Sequence, residues 1–315
     1  MKLTDAFISL CCTILTLSCA GNGSDSRPHT QIKTATDDNL LIPEVPVTVV
    51  GSQAIAAYTI MHYWDNMDFS DTTRVNDDRF MEQNFAGYLS AFPYAGYDDA
   101  ANAAEALMKK AEVSPQAYHR VMEIAERFLT SPNSSMRDEE TYYLFLQAID
   151  RSEFLDDTRR IRVKAQIADV LKNRCGTPAA DFAFTDNRER RTSLYREASE
   201  NQVRLIVFYD PECSHCHEIM TSLKQSEILA AALQAGVIKV IAVYPDGDKD
   251  IWQKARDSMP DTWINGMSPD GEVSENEIYT LPAMPVMYLI APDNTVLLKD
   301  TTQPAVEEWL LANFQ

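Results

Sequence analysis

Val203-Arg204-Leu205-Ile206-Val207-Phe208-Tyr209-Asp210-Pro211-Glu212-Cys213-Ser214-His215-Cys216-His217 holds both a strand and the chemistry that follows it. From 203 to 209 the run is apolar except for Arg204 and rich in β-branched and aromatic residues, the composition of a buried strand. Beyond Pro211 the pattern becomes helical and is expected to stay so from 218 to 235. Two residues between the cysteines put the second thiol about one helical turn beyond the first, near enough for a disulfide. At a helix N-terminus the free N–H groups stabilise a thiolate. Cys213 is therefore the expected nucleophile and Cys216 the thiol that resolves the mixed intermediate.

Further downstream, 237 to 244 reads as a strand and 250 to 257 as a helix. Residues 286 to 291 and 295 to 299 read as a hairpin around Pro292-Asp293-Asn294, and 304 to 313 as a closing helix. The natural product is a sheet flanked by helices. Pro285 stands at the start of a core strand, where it removes a ladder donor, so its presence there needs a reason.

The reason comes from a resemblance. Cys213-Ser214-His215-Cys216, together with Leu281-Pro282-Ala283-Met284-Pro285-Val286, resembles the thioredoxin superfamily, in particular the membrane-tethered TlpA and ResA branch of thiol-disulfide oxidoreductases. Gly176-Thr177-Pro178-Ala179-Ala180-Asp181-Phe182 is similar to the opening of such domains. The likeness covers about 175 to 315. It implies a central mixed sheet flanked by helices, a cis-Pro at Pro285 facing the dithiol, and a Met284 backbone that pairs with a client segment like an added strand. The departures are specific. Val207 stands where thioredoxin has a buried Asp, and Glu212 where it has Trp. The Glu that the tethered branch places three residues after its second Cys is absent, because Ile219 is there and Glu218 lies one residue early. Glu218 is thus a candidate proton relay for Cys216, with a solvated helix residue as the alternative. His215 favours a thiolate, while Asp210, Glu212 and Glu218 oppose it.

From 51 to 173 the periodicity is helical throughout. Ser52 is an expected cap, further helices are expected over 77–90, 98–111, 115–129, 138–150 and 156–173, and Asp98, Ser114 and Asp156 are expected N-caps. This predicts an all-helical bundle of five or six helices. His62-Tyr63-Trp64-Asp65 and Ser131 to Tyr142 resemble an uncharacterised helical domain found ahead of thioredoxin-like modules in Gram-negative lipoproteins. His62 and Trp64 read as core, the scattered methionines as filler, and Asp138-Glu139-Glu140 as a favourable charge at a helix N-terminus.

Residues 1 to 18 read as an export signal, with a short apolar stretch ending before Cys19. Cys19, preceded by a small residue, resembles the lipid-bearing cysteine of bacterial lipoproteins. Residues 19 to 46 have the composition of a flexible tether. The full division is 1–18 signal, 19–46 tether, 47–173 helical domain and 174–315 thioredoxin-like domain: an all-helical bundle joined to an α/β module. With 28 Lys and Arg against 47 Asp and Glu, the net charge is −19, a field that repels nucleic acid.

The expected function is thiol-disulfide exchange on exported protein thiols and disulfides, with Cys213 and Cys216 as catalytic residues and Ser214, His215, Met284 and Pro285 in support. The reductive direction is preferred, by resemblance to the tethered branch. No cofactor is required beyond the Cys213–Cys216 disulfide and no metal is expected. Turnover needs a membrane or periplasmic redox partner, and the location implied is the Gram-negative cell envelope, with a lipid anchor. Two other readings compete. One is a partner-binding lipoprotein whose thioredoxin-like fold is only a scaffold. The other is haem c attachment at Cys213 to His217, which satisfies CxxCH. Cys175 reads as a small packed residue.

Overall fold

The computed structural model describes residues 39–256 and 258–314. The signal, Cys19 and the tether as far as residue 38 lie outside the described residues, as do Asp257 and Gln315. The helical region comprises α1 (Ser52–His62), α2 (Thr72–Val75), α3 (Asp78–Leu89), a 3-10 turn (Phe92–Tyr94), α4 (Tyr97–Ala111), α5 (Pro115–Thr130), α6 (Glu139–Arg151) and α7 (Asp157–Leu171). Asp77, Ser114, Asp138 and Asp156 cap their helices by accepting backbone N–H groups of the first turn. Two expected caps are corrected. Gly51, at φ 97°, is the N-cap of α1 and Ser52 is the first helical residue. Gly96 is the N-cap of α4, and Asp98 sits inside its first turn, where a carboxylate is still favourable. The short α2 was not expected, because four residues carry no readable period.

The helices enclose a core that includes Trp64, Phe85, Tyr88, Tyr118 and Phe145, with Met67, Met81 and Met108 filling between the rings. His62 departs from the expectation: it is half-exposed, packed at a tilt against the Tyr58 ring and paired with Asp65 at 2.7 Å. Residues 39–46, expected to close the tether, are tied to this core at their start. The Leu40 N–H donates to Oδ1 of the buried Asn84 at 2.8 Å, and Asn66 Nδ2 donates to the Leu41 backbone carbonyl at 2.6 Å.

The second region runs β1 (Ala183–Asp186), β2 (Arg191–Ser193), β3 (Val203–Phe208), α8 (Ser214–Gln225), α9 (Glu227–Gln234), β4 (Ile238–Tyr244), α10 (Lys249–Arg256), β5 (Ile264–Met267), α11 (Glu272–Glu275), β6 (Val286–Ile290), β7 (Val296–Thr301) and α12 (Gln303–Asn313). The one helix expected from 218 to 235 is two. Ser226 breaks it, its hydroxyl oxygen accepting the Leu229 N–H while its own proton goes to Glu307 at 2.6 Å. The seven strands form one sheet in the order β2-β1-β5-β4-β3-β6-β7. β3 pairs in parallel with β4, and β4 with β5, while β6 and β7 run antiparallel, so the sheet is mixed. Every residue of β3 is buried, because one face packs Val203, Leu205 and Val207 among residues of α8, α9 and α12 and the other packs Ile206 and Phe208 against Phe182, Phe184 and Tyr279.

The two regions meet along α6, α7 and β7. Lys299 pairs with Glu139 and donates to the Val170 carbonyl, both at 2.8 Å. Arg137 pairs with Asp300, and Arg174 grips both Glu140 oxygens. Asn173 donates to the Ile278 carbonyl at 2.9 Å and accepts the Ala180 N–H at 2.7 Å. The acidic start of α6 thus has a second task, joining the two regions. Cys175, expected to be packed, is exposed at this junction.

Candidate active site

The register of β3 on β6 decides what faces what. Phe208 pairs with Val286, so the chain leaving β3 and the chain entering β6 emerge at the same end of the sheet. The first carries Cys213, five residues on. The second delivers Met284 and Pro285, both half-buried and joined by a cis peptide bond. The two parts of the expected site are therefore brought together.

Cys213 is the N-cap of α8, its sulfur accepting the Cys216 N–H at 3.5 Å. It is half-buried, whereas Cys216 has no exposed surface. The Asp210 N–H donates to the Cys216 sulfur at 3.4 Å. Burial pushes the Cys216 thiol up to about 12, opposed by the Asp210 N–H bond to its sulfur and reinforced by the neighbouring Cys213. One sulfur is thus presented and the other is held back as a thiol. Ser214 and His215 are exposed on the first turn of α8.

Glu218 does not suit the relay considered for it. Its side chain is 77% exposed and faces His215 at 3.5 Å, on the solvent side of a helix whose inner side holds Cys216. Val207 lies fully in the core, so no acid occupies that position either. What does lie within electrostatic reach of Cys216 is the buried Tyr209, part of a polar group that sequence reasoning missed. The Tyr209 hydroxyl and the Trp252 indole N–H both donate to Asn265 Oδ1, at 3.0 and 3.2 Å. These residues come from three separate stretches, and only the aromatic at the end of a buried strand gave any sign of it.

The residues at 213–217 do not fit a haem. Two thioether bonds need both sulfurs accessible and His217 free to reach iron. Cys216 is buried, and His217 Nε2 sits 2.6 Å from the Pro211 carbonyl. Among the described residues, no group of three or more His, Cys, Asp or Glu side chains is disposed to hold a metal ion.

A thioredoxin-like protein from Bacteroides caccae is similar at 31% identity over 87% of this chain and 98% of its own, with a TM-score of 0.82. The chain belongs to the thioredoxin-like family. Two further structures are similar over the thioredoxin-like half. They are the C-terminal domain of an uncharacterized protein from Bacteroides fragilis (34% identity, 44% of this chain and 99% of that one, TM-score 0.43) and the thioredoxin domain of a thiol-disulfide oxidoreductase from Bacteroides vulgatus (17% identity, 45% and 98%, TM-score 0.39). Residues 18–173 match the family described as Domain of unknown function (DUF5106). No curated protein matches the chain. In this thioredoxin-like protein the sheet module is preceded by a helical domain of that family.

Proposed function

We propose that this thioredoxin-like protein performs thiol-disulfide exchange on exported proteins, in the reducing direction, from a lipid anchor at Cys19 in the envelope of a Gram-negative bacterium. The carrying observation is the asymmetry of the two sulfurs, Cys213 half-exposed at the start of a helix and Cys216 buried beside it. Cys213 Sγ attacks one sulfur of a client disulfide, and the other client sulfur leaves as a thiolate and takes a proton. Cys216 then loses its proton and attacks Cys213 Sγ, forming the Cys213–Cys216 disulfide and releasing the second client thiol. The client gains two electrons and the protein loses them. A membrane or periplasmic dithiol restores the reduced pair, and no diffusible cofactor enters.

A Cys216 thiol held protonated, with the Asp210 carboxylate beside it, lends the reduced pair little electrostatic stabilisation, which favours a reducing couple. Met284 and Pro285 border the groove in which the client chain lies, the Met284 backbone pairing with it.

The test is trapping. A Cys216→Ser variant expressed with its export signal should accumulate disulfide-linked adducts through Cys213, seen on non-reducing gels and abolished by Cys213→Ala. A redox titration should place the pair among reducing couples. Absence of adducts together with an inert Cys213 would leave the fold as a scaffold.

A further inference from the structure

At Met284 lies a cleft that neither region forms alone. It encloses about 430 Å³ and is lined by Asp169 and Lys172 from the end of α7, by Asp246 beyond β4, and by Ser274, Glu277 and Met284 from the approach to β6. Met284 immediately precedes Pro285, so the cleft opens from the segment that borders the dithiol. Its geometry is held from the helical side. Asn173 donates to the Ile278 carbonyl at 2.9 Å, and the Thr280 hydroxyl donates to the Asp169 carbonyl at 3.3 Å.

The charges in the cleft are unequal. Among the described residues Lys172 is the one cation lining it, and it is already shared between Asp169 at 2.8 Å and Glu277 at 3.4 Å. Among the described residues the Asp246 carboxylate accepts a neutral hydroxyl, that of Ser274 at 2.6 Å, and pairs with no cation. The bias continues toward the cysteines. The hydroxyl of Tyr244 is pushed up first by burial, then by Asp246, Asp210, Asp248 and Glu212 together, which puts all four carboxylates within electrostatic reach of one buried ring at the dithiol end of β4. Carboxylates lining a concave wall focus their field and attract the opposite charge.

We propose that the helical domain forms the second wall of the client groove, and that the cleft between Asp169, Asp246, Glu277 and Met284 receives a Lys or Arg side chain flanking the client cysteine. The proposal rests on the thiol-disulfide reading and adds the substrate class: extended polypeptide segments with cationic residues next to the reactive sulfur. It also gives the helical domain a task in catalysis, selecting clients by charge. A client segment paired with the Met284 backbone would run on toward α7, where its cation meets the solvent-facing carboxylates of Asp169 and Glu277.

The test uses the mature chain and two peptides of equal length, each carrying one cysteine as a mixed disulfide with 2-mercaptoethanol, one flanked by Lys and the other by Glu. The expected ratio of exchange rates, Lys over Glu, is about tenfold at low ionic strength and collapses toward unity at high salt. Asp169→Asn, Asp246→Asn and Glu277→Gln combined should remove most of that ratio. Glu105→Gln, Glu123→Gln and Glu153→Gln combined, which remove the same number of negative charges in the helical domain but outside the cleft, should keep it. Because a ratio is read, a general loss of rate cancels. Binding of the Lys peptide with its cysteine replaced by Ser to a Cys213→Ser, Cys216→Ser protein, followed by fluorescence anisotropy, reads the cleft without any redox step. Inertness toward 2-hydroxyethyl disulfide with charge-selective peptide binding intact would sink the exchange reading and leave the cleft. Equal rates and equal binding for the two peptides, or a ratio that both sets of variants reduce alike, would overturn the cleft proposal.

Discussion

The backbone N–H of Asp210 donates to the sulfur of Cys216 at 3.4 Å, across six positions of sequence. The chain leaving β3 therefore curls over the second cysteine before α8 begins. It closes Cys216 from solvent and brings a carboxylate-bearing residue to its side, while Cys213 stays at the rim.

That closure separates the two thiols by reactivity. In the reduced protein, iodoacetamide near neutral pH should modify Cys213 and spare Cys216, as read by mass spectrometry of the digested chain. Because the Cys216 thiol titrates near 12 instead of 9.0, its alkylation should gain roughly tenfold per pH unit through that interval until the protein opens. The sign for stability follows. A raised folded-state value means the contribution is complete below pH 9.0 and is lost as pH rises through about 12, so the reduced protein should lose alkaline stability that a Cys216→Ala variant retains. Equal alkylation of both cysteines near neutrality would contradict this.

Glu218 tests the proton path. With its carboxylate 77% exposed and turned to His215, Glu218→Gln should change the rate of exchange with a small disulfide by less than about twofold and leave its pH profile in place. A profile displaced by a full unit would return Glu218 to the mechanism.

Arg204 has no exposed surface, and its guanidinium donates to the carbonyls of Leu194 and Ala291 at 2.8 and 2.7 Å and to Asn294 Oδ1 at 2.9 Å. It ties the segment after β2 to the β6–β7 turn, at the end of β3 opposite the cysteines. Arg204→Met should destabilise the protein by about 2–4 kcal/mol in urea denaturation, through lost partners for buried carbonyls, with the exchange rate of the folded fraction preserved. A loss below about 0.5 kcal/mol would show that water replaces the guanidinium.

Lys299 joins the two regions with a side chain only 7% exposed, paired with Glu139 and bonded to the Val170 carbonyl. Lys299→Met leaves Glu139 partly buried without its cation and should cost about 3 kcal/mol, splitting one thermal transition into two as the helical domain uncouples from the sheet. A single transition shifted only slightly would mean that the other bridges carry the interface.

Much of the architecture was legible because it is local. The β-branched run before the cysteines announces β3, the 3.6-residue period with Ser114 and Asp156 as caps marks the longer helices, and a dithiol ahead of a helix with Pro285 ahead of a strand identifies the second region. Short elements escaped for the same reason. β2, β5, α2 and α11 have three or four residues each, too few to show a period.

Sequence alone determined that two sulfurs stand one helical turn apart behind a buried strand, because both the spacing and the apolar run are written in consecutive residues. Only the folded chain decided which sulfur is buried, that Glu218 faces solvent, that Asn265 gathers Tyr209 and Trp252, and that the end of α7 and Met284 line one cleft. Those relations join positions tens of residues apart through strand register and side-chain packing, and no local pattern encodes them.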